Sequence, residues 1–453
     1  MKTLTISILA LVSFSAHAQS WVPVGSPDFS VGEAAFTSIA IDKNGTPYVV
    51  YEDWSNGRKA TVMEYNGINW VTLGNPGFSA GPVKSTSIAI DKSGTLYIAY
   101  EDSSNSNKAT VMKYNGSNWV AVGGAGFSAG TAEFTSIAID SSGIPYVAYG
   151  DGATGNAATV MKYNGTVWVT LGSAGFSAGM AQYTSMALDG NGIPYVVYSD
   201  DGNGQKATVM KFNGSSWEIV GNAGFSAGWA FYTSIAIDNS GTPYIVYMDA
   251  SSISGYGPAT VMKYNGSIWE AVGSVGFSAS YALYTSIAIN SSGTPYVVYQ
   301  DYGNSSKATV MKYNGSNWLS VGSLGFSTGV VYYTSIAIDN SGEPYVVYQD
   351  GSVNRSATVM KFGFPNDVKT INDAASSLTF YPNPNNGSFT LNISTPTKED
   401  ATITITNTVG QQLKNLSTTT NTDIQIQLAA PPGIYFISVR TQQGAQSSKI
   451  VVW

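Results

Sequence analysis

Residues 70–118 read WVTLGNPGFSAGPVKSTSIAIDKSGTLYIAYEDSSNSNKATVMKYNGSN, and this stretch decides the fold because its pattern recurs along most of the chain. The opening tryptophan returns at intervals of 49, 49, 49, 49, 52 and 49 residues, in the series Trp21, Trp70, Trp119, Trp168, Trp217, Trp269 and Trp318. A repeat of about 40 to 50 residues is typical of propeller blades. The series therefore predicts seven copies of one structural unit.

Each unit contains four short runs with the residue types and alternation of β-strands. In the first full unit these runs are FTSIAID (36–42), PYVVYED (47–53), KATVMEY (59–65) and WVTLG (70–74). A DxxGxP turn joins the first run to the second, and a YNG turn joins the third to the fourth. Four antiparallel strands in a repeated unit form a blade, so the sequence predicts an all-β, seven-bladed β-propeller over 19–362.

The two ends of the repeat region predict how the ring closes. The region begins with an isolated outer strand at Trp21–Gly25, and its last unit stops at Phe362 after three strands. We expect the first strand to pair with 357–362. The seventh blade would then contain three strands from one end of the region and one from the other, a 3+1 closure that leaves no open sheet edge in the ring.

The composition and the first residues narrow the classes of function. Only 11% of the residues are charged and the formal net charge is -7, without the basic stripe that nucleic-acid binding requires. The start, MKTLTISILALVSFSAHA, combines a lysine, a short apolar run and an Ala-His-Ala cleavage pattern, which predicts a signal peptide over 1–18. No later segment is apolar over the length of a membrane-spanning helix. We expect a protein that is secreted or attached to the outer-membrane surface.

The motif GFSAG at Gly77–Gly81 matches the G-x-S-x-G pattern of serine hydrolases. The same letters return at Gly126, Gly175 and Gly224. The chain has no cysteine, and its single histidine, His17, lies in the predicted signal peptide, so Ser79 has no histidine base. We expect GFSAG to form a turn between blades, and we predict no catalytic residue and no metal site.

The segment after Phe362 has a different pattern. Residues 363–376 are predicted to form a linker, and 377–453 contain alternating strands and turn residues that predict a small Ig-like β-sandwich. Several short motifs follow one another in this tail, and their residues are Tyr381, Pro382, Asn383, Pro384, Gly387, Gly410, Gly433, Tyr435 and Lys449.

On these motifs, the tail resembles the type A C-terminal sorting domain of the type IX secretion system of Bacteroidetes. The resemblance covers 377–453. It implies recognition by an outer-membrane translocon, followed by cleavage of the tail and either surface attachment or release. The repeat region is similar to seven-bladed propeller repeats in secreted proteins of the same bacteria.

One aspartate stands at the end of the second strand in every unit: Asp53, Asp102, Asp151, Asp200, Asp249, Asp301 and Asp350. The loops that follow differ in every unit, and a constant residue beneath variable loops is typical of a binding face. These aspartates are binding candidates. The alternative is that each one only caps its loop.

Aromatic residues form the second group of binding candidates because exposed rings beside carboxylates suit the faces and hydroxyl groups of sugars. They lie in the variable loops or just before the first strands, at Trp54, Trp229, Tyr256, Tyr281, Tyr302 and Tyr332. The alternative is that these rings pack between loops.

The leading hypothesis is a non-enzymatic propeller that binds a glycan or another surface ligand. The alternatives are a structural or adhesin-like scaffold that binds protein, and, with less support, a carboxylate-dependent hydrolase. No cofactor is predicted, and a calcium requirement has no support in the sequence. The expected partners are the secretion translocon, through the tail, and a glycan or surface protein.

Overall fold

The repeated unit forms seven four-stranded antiparallel sheets, with a strand order that follows the chain in six of them. The computed structural model describes residues 19–250, 255–352, 354–363, 377–407, 412–441 and 444–453. The predicted signal peptide and residues 364–376 of the predicted linker lie outside these ranges. The chain divides into two compact units at residue 365, and each unit is described separately.

The first strand of each sheet packs against the first strand of the next. These inner strands are β2 Ala34–Ile41, β6 Val83–Ile90, β10 Ala132–Ile139, β14 Ala181–Leu188, β18 Trp229–Ile237, β22 Ala282–Ile289 and β26 Val331–Ile338. The last of them, β26, contacts β2, so the seven sheets form a closed ring. The side chain of Thr37 seals this junction by donating a hydrogen bond of 2.6 Å to the Tyr333 carbonyl.

The second strands are almost completely buried. They are β3 Pro47–Asp53, β7 Leu96–Asp102, β11 Pro145–Asp151, β15 Pro194–Asp200, β19 Pro243–Ala250, β23 Pro295–Asp301 and β27 Pro344–Asp350. Both faces of these strands meet a neighbouring sheet, which explains their nearly continuous apolar sequence. Within the described residues, a single-turn 3-10 helix follows the second strand in five blades, at Trp54–Asn56, Ser103–Asn105, Gly152–Thr154, Asp201–Asn203 and Tyr302–Asn304.

The third and fourth strands complete the sheets on the outside of the ring. The third strands are β4 Lys59–Tyr65, β8 Lys108–Tyr114, β12 Ala157–Tyr163, β16 Lys206–Phe212, β20 Ala259–Tyr264, β24 Lys307–Tyr313 and β28 Ser356–Gly363. The fourth strands are β5 Trp70–Thr72, β9 Trp119–Ala121, β13 Trp168–Thr170, β17 Trp217–Ile219, β21 Trp269–Ala271, β25 Trp318–Ser320 and, for the last sheet, β1 Ser20–Pro23. We number the sheets that begin with β2, β6, β10, β14, β18, β22 and β26 as blades 1 to 7.

The predicted closure of the ring is confirmed. Strand β1 pairs with β28 in the register Trp21↔Phe362, so blade 7 has the order β1-β28-β27-β26. Trp21 donates a hydrogen bond of 2.6 Å to the Val321 carbonyl, and its ring stacks on Phe326 at 4.2 Å. The equivalent contacts join the other blades, so the closing strand uses the same interface as a continuous chain.

The GFSAG segments lie at these junctions between blades. Phe78 stacks on Trp119 of the next blade, with ring centroids 4.7 Å apart. Ser79 is buried, and its hydroxyl accepts a hydrogen bond of 2.9 Å from the Ala60 amide and donates one of 2.7 Å to the Gly81 carbonyl. With both bonds made inside the fold, Ser79 holds the turn.

The second unit is a β-sandwich. Its strands are β29 Ser377–Tyr381, β30 Ser388–Ser394, β31 Asp400–Asn407, β32 Gln412–Thr419, β33 Asp423–Gln427, β34 Gly433–Thr441 and β35 Gly444–Val452. One sheet has the order β29-β30-β33 and the other β32-β31-β34-β35. Apolar residues at alternate positions fill the space between them, among them Leu391, Ile403 and Ile437, which are completely buried. The described residues contain no helix long and apolar enough to cross a membrane.

Candidate functional site

The seven aspartates at the ends of the second strands lie at the same end of the ring as the variable loops, which we call the loop face. Their carboxylates are 1–3% exposed. In blade 1, Asp53 accepts hydrogen bonds from the Ser55 amide at 3.0 Å, the Asn56 amide group at 2.8 Å and the Thr61 hydroxyl at 2.7 Å. Blades 2 and 6 repeat all three contacts around Asp102 and Asp301.

This burial favours the alternative that the aspartates cap their loops, and their contact with a ligand stays a prediction. A carboxylate that is buried and bonded within its own loop offers a ligand little surface. The carboxylate accepts a hydrogen bond from the loop that follows it in six blades, at Asp53, Asp102, Asp151, Asp200, Asp301 and Asp350. Asp249 is equally buried and accepts one from the Thr260 hydroxyl of the third strand.

The capped loops carry two of the predicted aromatic residues at their first position. Trp54 is 47% exposed and Tyr302 is 59% exposed. The guanidinium of Arg58 lies 4.9 Å from the centre of the Trp54 ring. In blades 1 and 6, the buried aspartate therefore caps a loop whose first residue is an exposed aromatic side chain.

Three predicted tyrosines from blades 5 and 6 come together on the loop face. Tyr281 lies between Tyr256, at 5.6 Å, and Tyr302, at 5.3 Å, measured between ring centroids. Tyr256 is 50% exposed. We call Tyr256, Tyr281 and Tyr302 the tyrosine cluster.

The other predicted aromatic residues lie elsewhere on the loop face. Trp229 is 45% exposed at the start of β18 in blade 5 and contacts Phe231. Tyr332 belongs to blade 7, where Arg355 lies 5.9 Å from its ring. Trp54 belongs to blade 1. The six predicted rings are thus concentrated in blades 5 and 6 and do not form one continuous surface.

A second set of aromatic residues follows the inner strands and was missed at the level of sequence. Each inner strand has a β-bulge, visible as a register shift such as the one between Ala35 and Ser38. One residue at each bulge has a left-handed backbone, with φ between 49° and 54°: Phe36, Ser85, Phe134, Tyr183, Tyr232, Tyr284 and Tyr333. Bulky residues rarely adopt this conformation, and strained positions of this kind cluster at functional sites.

Six of these seven residues form a belt of touching rings around the inside of the ring of blades. Neighbouring centroids are 4.8 Å apart for Phe36 and Tyr333, 5.2 Å for Tyr333 and Tyr284, 4.9 Å for Tyr284 and Tyr232, 5.0 Å for Tyr232 and Tyr183, and 5.0 Å for Tyr183 and Phe134. The belt is interrupted once, at Ser85 in blade 2. We call these six rings the aromatic belt and the interruption the Ser85 gap.

The belt contains four tyrosines, Tyr183, Tyr232, Tyr284 and Tyr333. The pKa of Tyr284 is raised to about 12, mainly by burial, with smaller contributions from Tyr333, Tyr332 and Tyr183, the last of which lies two blades away. The pKa of Tyr232 is raised in the same way, with Tyr333 two blades away among the causes. These hydroxyls are neutral at pH 7 and can both donate and accept hydrogen bonds. None has a hydrogen-bond partner within the described part of the chain.

Charged residues gather beside the Ser85 gap. Glu52 is 1% exposed and forms an ion pair of 2.5 Å with Arg58. Glu101 is 8% exposed, and Lys84 stands directly opposite it in the β6–β7 register. Glu133 follows on β10.

Burial is the main influence on both glutamates. It raises the pKa of Glu52, against the opposing effect of Arg58 and Lys84. It also raises the pKa of Glu101, where Lys84 opposes the shift and Glu133 and Glu52 add to it. Across the residues that the structure describes, no three acidic, histidine or cysteine side chains are placed to hold a metal ion.

The belt could have been found by stacking the seven units of sequence. The residue before each Thr-Ser pair reads F, S, F, Y, Y, Y and Y. A column of aromatic residues with one serine marks both the belt and its gap. The left-handed backbone was not foreseeable from this column, because aromatic residues do not favour it.

The predicted sorting residues lie mostly around β29, β30 and β35 of the sandwich. Asn383 accepts a hydrogen bond of 2.9 Å from the Val451 amide and donates one of 3.3 Å to the Lys449 carbonyl. Gly387 has φ of 93°, and a Cβ there would lie 2.6 Å from the Leu428 carbonyl. The Tyr435 hydroxyl, near Gly433 at the start of β34, donates to the Pro431 carbonyl at 2.6 Å.

The remaining sorting residues differ in their surroundings. Tyr381 is 57% exposed at the end of β29, and the peptide bonds before Pro382 and Pro384 are cis. Gly410 lies outside the described residues. The proline turn thus joins the first strand of the sandwich to its last.

Comparison with known proteins supports both units. Residues 379–453 match the family described as the secretion system C-terminal sorting domain. No curated protein sequence matches the chain. The sorting domain implies export by the type IX secretion machinery, to the cell surface or the surrounding medium.

Solved structures similar to the chain have propeller folds and differ in activity. An ulvan lyase, solved with a GlcA–Rha3S saccharide, has a TM-score of 0.50 at 14% identity and covers 74% of this chain and 95% of its own. The Aleuria aurantia lectin, with bound Fucα1-6GlcNAc, has a TM-score of 0.42 at 14% identity, covering 67% and 100%. The α-L-arabinanase of Penicillium chrysogenum, with arabinobiose, has a TM-score of 0.44 at 14% identity, covering 76% and 98%. At this identity the likeness concerns the fold alone.

Proposed function

We propose that the exported propeller is a non-enzymatic module that binds carbohydrate through its loop face. One observation carries the proposal: the tyrosine cluster joins three rings, two of which are at least half exposed, across the junction of blades 5 and 6. Aromatic rings bind the C–H faces of sugars, and their hydroxyl groups reach the polar edges. Trp229, also exposed in blade 5, extends the same side of the face.

The test is a glycan-array screen of the full chain, with and without calcium, followed by titration of the best hit. Tyr256→Ala and Tyr302→Ala should each weaken binding by roughly two- to tenfold, the equivalent of about 0.5–1.5 kcal/mol for a ring contact. Ile268→Ala is the matched control, because Ile268 is 56% exposed at the opposite end of blade 5.

Two results would contradict the proposal. A blank array with folded protein would favour the alternative, a scaffold that binds protein at the cell surface. Equal losses in Ile268→Ala and Tyr302→Ala would show that binding does not depend on the tyrosine cluster.

A second candidate function, carboxylate-dependent cleavage of a glycan, is favoured by the pair of buried glutamates with raised pKa in adjacent blades, Glu52 and Glu101. Carboxyl groups with perturbed pKa are common at catalytic sites and in structural networks alike. Release of new reducing ends from an array hit, lost in Glu101→Gln, would support this function.

A further inference from the structure

Clefts open between neighbouring blades on the side of the ring that carries the two short turns of each blade. We call this side, opposite the loop face, the turn face. The cleft between blades 5 and 6 has a volume of about 470 Å³, and the cleft between blades 4 and 5 has a volume of about 340 Å³. Both volumes are in the range of sites that bind small molecules.

The two clefts are lined by the same positions of the repeat. Each blade contributes a tyrosine from its second strand and a lysine from its third strand. In the cleft between blades 5 and 6 these residues are Tyr244, Lys263, Tyr296 and Lys312. In the cleft between blades 4 and 5 they are Tyr195, Lys211, Tyr244 and Lys263. The clefts can therefore be compared residue by residue.

Two positions in a blade can place a carboxylate near this lysine. One is the residue opposite the lysine on the fourth strand, where Glu218 pairs with Lys211 at 3.1 Å and Glu270 pairs with Lys263 at 3.2 Å. The other is the aspartate that opens the first turn of the blade.

Blade 1 shows that this turn aspartate acts on the third strand. Glu64 replaces the lysine there; burial raises its pKa, and Asp42 adds to the shift. The aspartate is present in six blades, at Asp42, Asp91, Asp140, Asp189, Asp238 and Asp339. In blade 7, Glu343 of the same turn also pairs with Lys361 at 2.5 Å.

Blade 6 lacks both carboxylates. Asn290 replaces the turn aspartate and keeps its contacts, accepting hydrogen bonds from the Ser292 and Thr294 amides at 3.1 Å and 2.9 Å. Leu319 stands opposite Lys312 in the pairing of β24 with β25. The structure gives Lys312 no ion pair and no hydrogen bond among the described residues. Its positive charge is therefore available to a ligand in the cleft.

The acids of blade 5 do not occupy Lys312. Glu270 is bonded to Lys263 and to the Asn265 amide group. Asp238 acts on Tyr244, but its carboxylate accepts hydrogen bonds within its own turn, from Ser240 and from the Thr242 amide. Position by position, the cleft between blades 5 and 6 has two carboxylates fewer than the cleft between blades 4 and 5.

The tyrosines of the cleft have hydroxyl groups available for hydrogen bonding. In blade 3 the Tyr146 hydroxyl donates to Asp140 of the turn at 3.3 Å. Tyr296, beside Asn290, makes no such bond with a described residue, and neither does Tyr244. Burial raises the pKa of both tyrosines, so they are neutral at pH 7. A neutral tyrosine can donate to an anionic group and can also exchange hydrogen bonds with sugar hydroxyls.

We propose that the cleft between blades 5 and 6 on the turn face binds an acidic sugar residue. Lys312 pairs with the carboxylate or sulfate group of the sugar, an interaction stronger than a hydrogen bond between neutral groups. The tyrosine rings and hydroxyls contact the rest of the sugar. This site lies on the other side of the ring from the tyrosine cluster, and it does not depend on binding there.

The test is titration calorimetry of the full chain with glucuronate, glucose 6-sulfate, glucose and inorganic sulfate. We expect one of the two acidic sugars to bind at least about tenfold more tightly than glucose, and the preferred one identifies the acidic group. Added salt should weaken this binding. Equal affinity for glucose would overturn the role of the charge, and equal affinity for inorganic sulfate would overturn the assignment to a sugar.

Three variants locate the site. Lys312→Gln should weaken binding of the preferred sugar by about tenfold. Asn290→Asp restores the aspartate of the other six blades, so it should fold normally and weaken binding by roughly two- to fivefold. Lys211→Gln is the matched control, because it removes the equivalent lysine from the cleft between blades 4 and 5, and it should leave binding unchanged.

Unchanged binding in Lys312→Gln, or an equal loss in Lys211→Gln, would overturn the site. Tyr302→Ala separates this site from the loop face. It should leave binding of the acidic sugar unchanged, and a loss in Tyr302→Ala without one in Lys312→Gln would place the acidic sugar on the loop face instead.

Discussion

At the scale of single residues, the carboxylates of the loop face differ in whether they form hydrogen bonds within the fold. Asp102 and Glu101 are neighbours in β7 and both are buried. Asp102 is bonded to Ser104, Asn105 and Thr110, whereas Glu101 has no partner among the described residues. Sequence position alone could not distinguish them, because burial of the aspartate depends on a 3-10 turn that folds back over the strand.

Removal of a capping aspartate should destabilise the propeller. Asp102→Ala leaves three donors without their acceptor, and we expect the free energy of unfolding to fall by roughly 2–4 kcal/mol. Chemical denaturation of the full chain measures the change. Asp91→Asn is the control, expected within about 0.5 kcal/mol of wild type, because Asn290 makes the same turn contacts in blade 6. Equal stability of Asp102→Ala and wild type would contradict the capping role.

We expect Glu101→Gln to stabilise the propeller by an amount that depends on pH. Burial raises the pKa of Glu101 above its ordinary value of 4.5, with Lys84 opposing the shift and Glu133 and Glu52 adding to it. The folded state therefore holds this proton more tightly than the unfolded state, and its contribution to stability is lost as the pH rises above about 4.5. The variant has no such loss.

We expect the difference in melting temperature between Glu101→Gln and wild type to be small at pH 4 and to grow toward pH 7. Glu218→Gln should behave in the opposite sense, because the exposed Glu218 has a pKa lowered by its hydrogen bonds from Lys211 and Asn213. A difference for Glu101→Gln that shrinks as the pH rises would be inconsistent with a carboxyl group whose pKa is raised by the fold.

At the scale of strands, the sequence was most informative where the repeat is regular. The four runs of each unit and the pairing of β1 with β28 follow from spacing and counting. The 3-10 turns and the β-bulges do not, because both depend on hydrogen bonds between strands that only the folded sheet brings together. The aromatic belt was missed for the same reason: Phe36 and its equivalents occupy ordinary strand positions until the bulge turns their backbone.

The closing strand should be the part of the ring most sensitive to the loss of its tryptophan. Trp21→Ala removes the stacking on Phe326 and the hydrogen bond to Val321, and we expect a loss of about 3–5 kcal/mol in the free energy of unfolding. Trp119→Ala removes equivalent contacts from a continuous chain. Limited proteolysis should therefore release N-terminal fragments from Trp21→Ala and not from Trp119→Ala. Trp453→Ala, at an exposed residue, is the control that should leave the digestion pattern unchanged. Identical digestion patterns for Trp21→Ala and Trp119→Ala would contradict the prediction that the closing strand is the weakest part of the ring.

At the scale of the whole molecule, seven similar units produce a face that is not symmetrical. Exposed aromatic residues are concentrated in blades 5 and 6, and the buried glutamates Glu52 and Glu101 lie in blades 1 and 2. The residue that precedes each bulge shows this change, since blades 1 to 4 carry Ala35, Lys84, Glu133 and Gln182 where blades 5 to 7 carry Phe231, Leu283 and Tyr332. The residues that repeat in every unit form the propeller fold, and we expect a ligand to bind where the residues differ between blades.

Misfolding of the sandwich should abolish export without affecting sugar binding by the propeller. Gly387→Ala places a methyl group against the Leu428 carbonyl at a left-handed backbone position, so we expect the sandwich to misfold and the chain to remain inside the cell envelope. Cell fractionation and surface labelling measure the loss of export. The purified variant should bind sugars like wild type, and Gly45→Ala, which tests a left-handed turn glycine with open space around it in blade 1, should be exported normally. Normal surface display of Gly387→Ala would contradict the role given to the sandwich.

The position of β28 also has a mechanical consequence. The tail leaves the propeller directly after β28, the strand that lies between β1 and β27. Any tension applied through the tail, from the secretion machinery or from a surface attachment, is therefore carried first by the strand that locks the ring. We expect the propeller under load to open by peeling at blade 7, so that the seam that completes the fold is also the place where it yields.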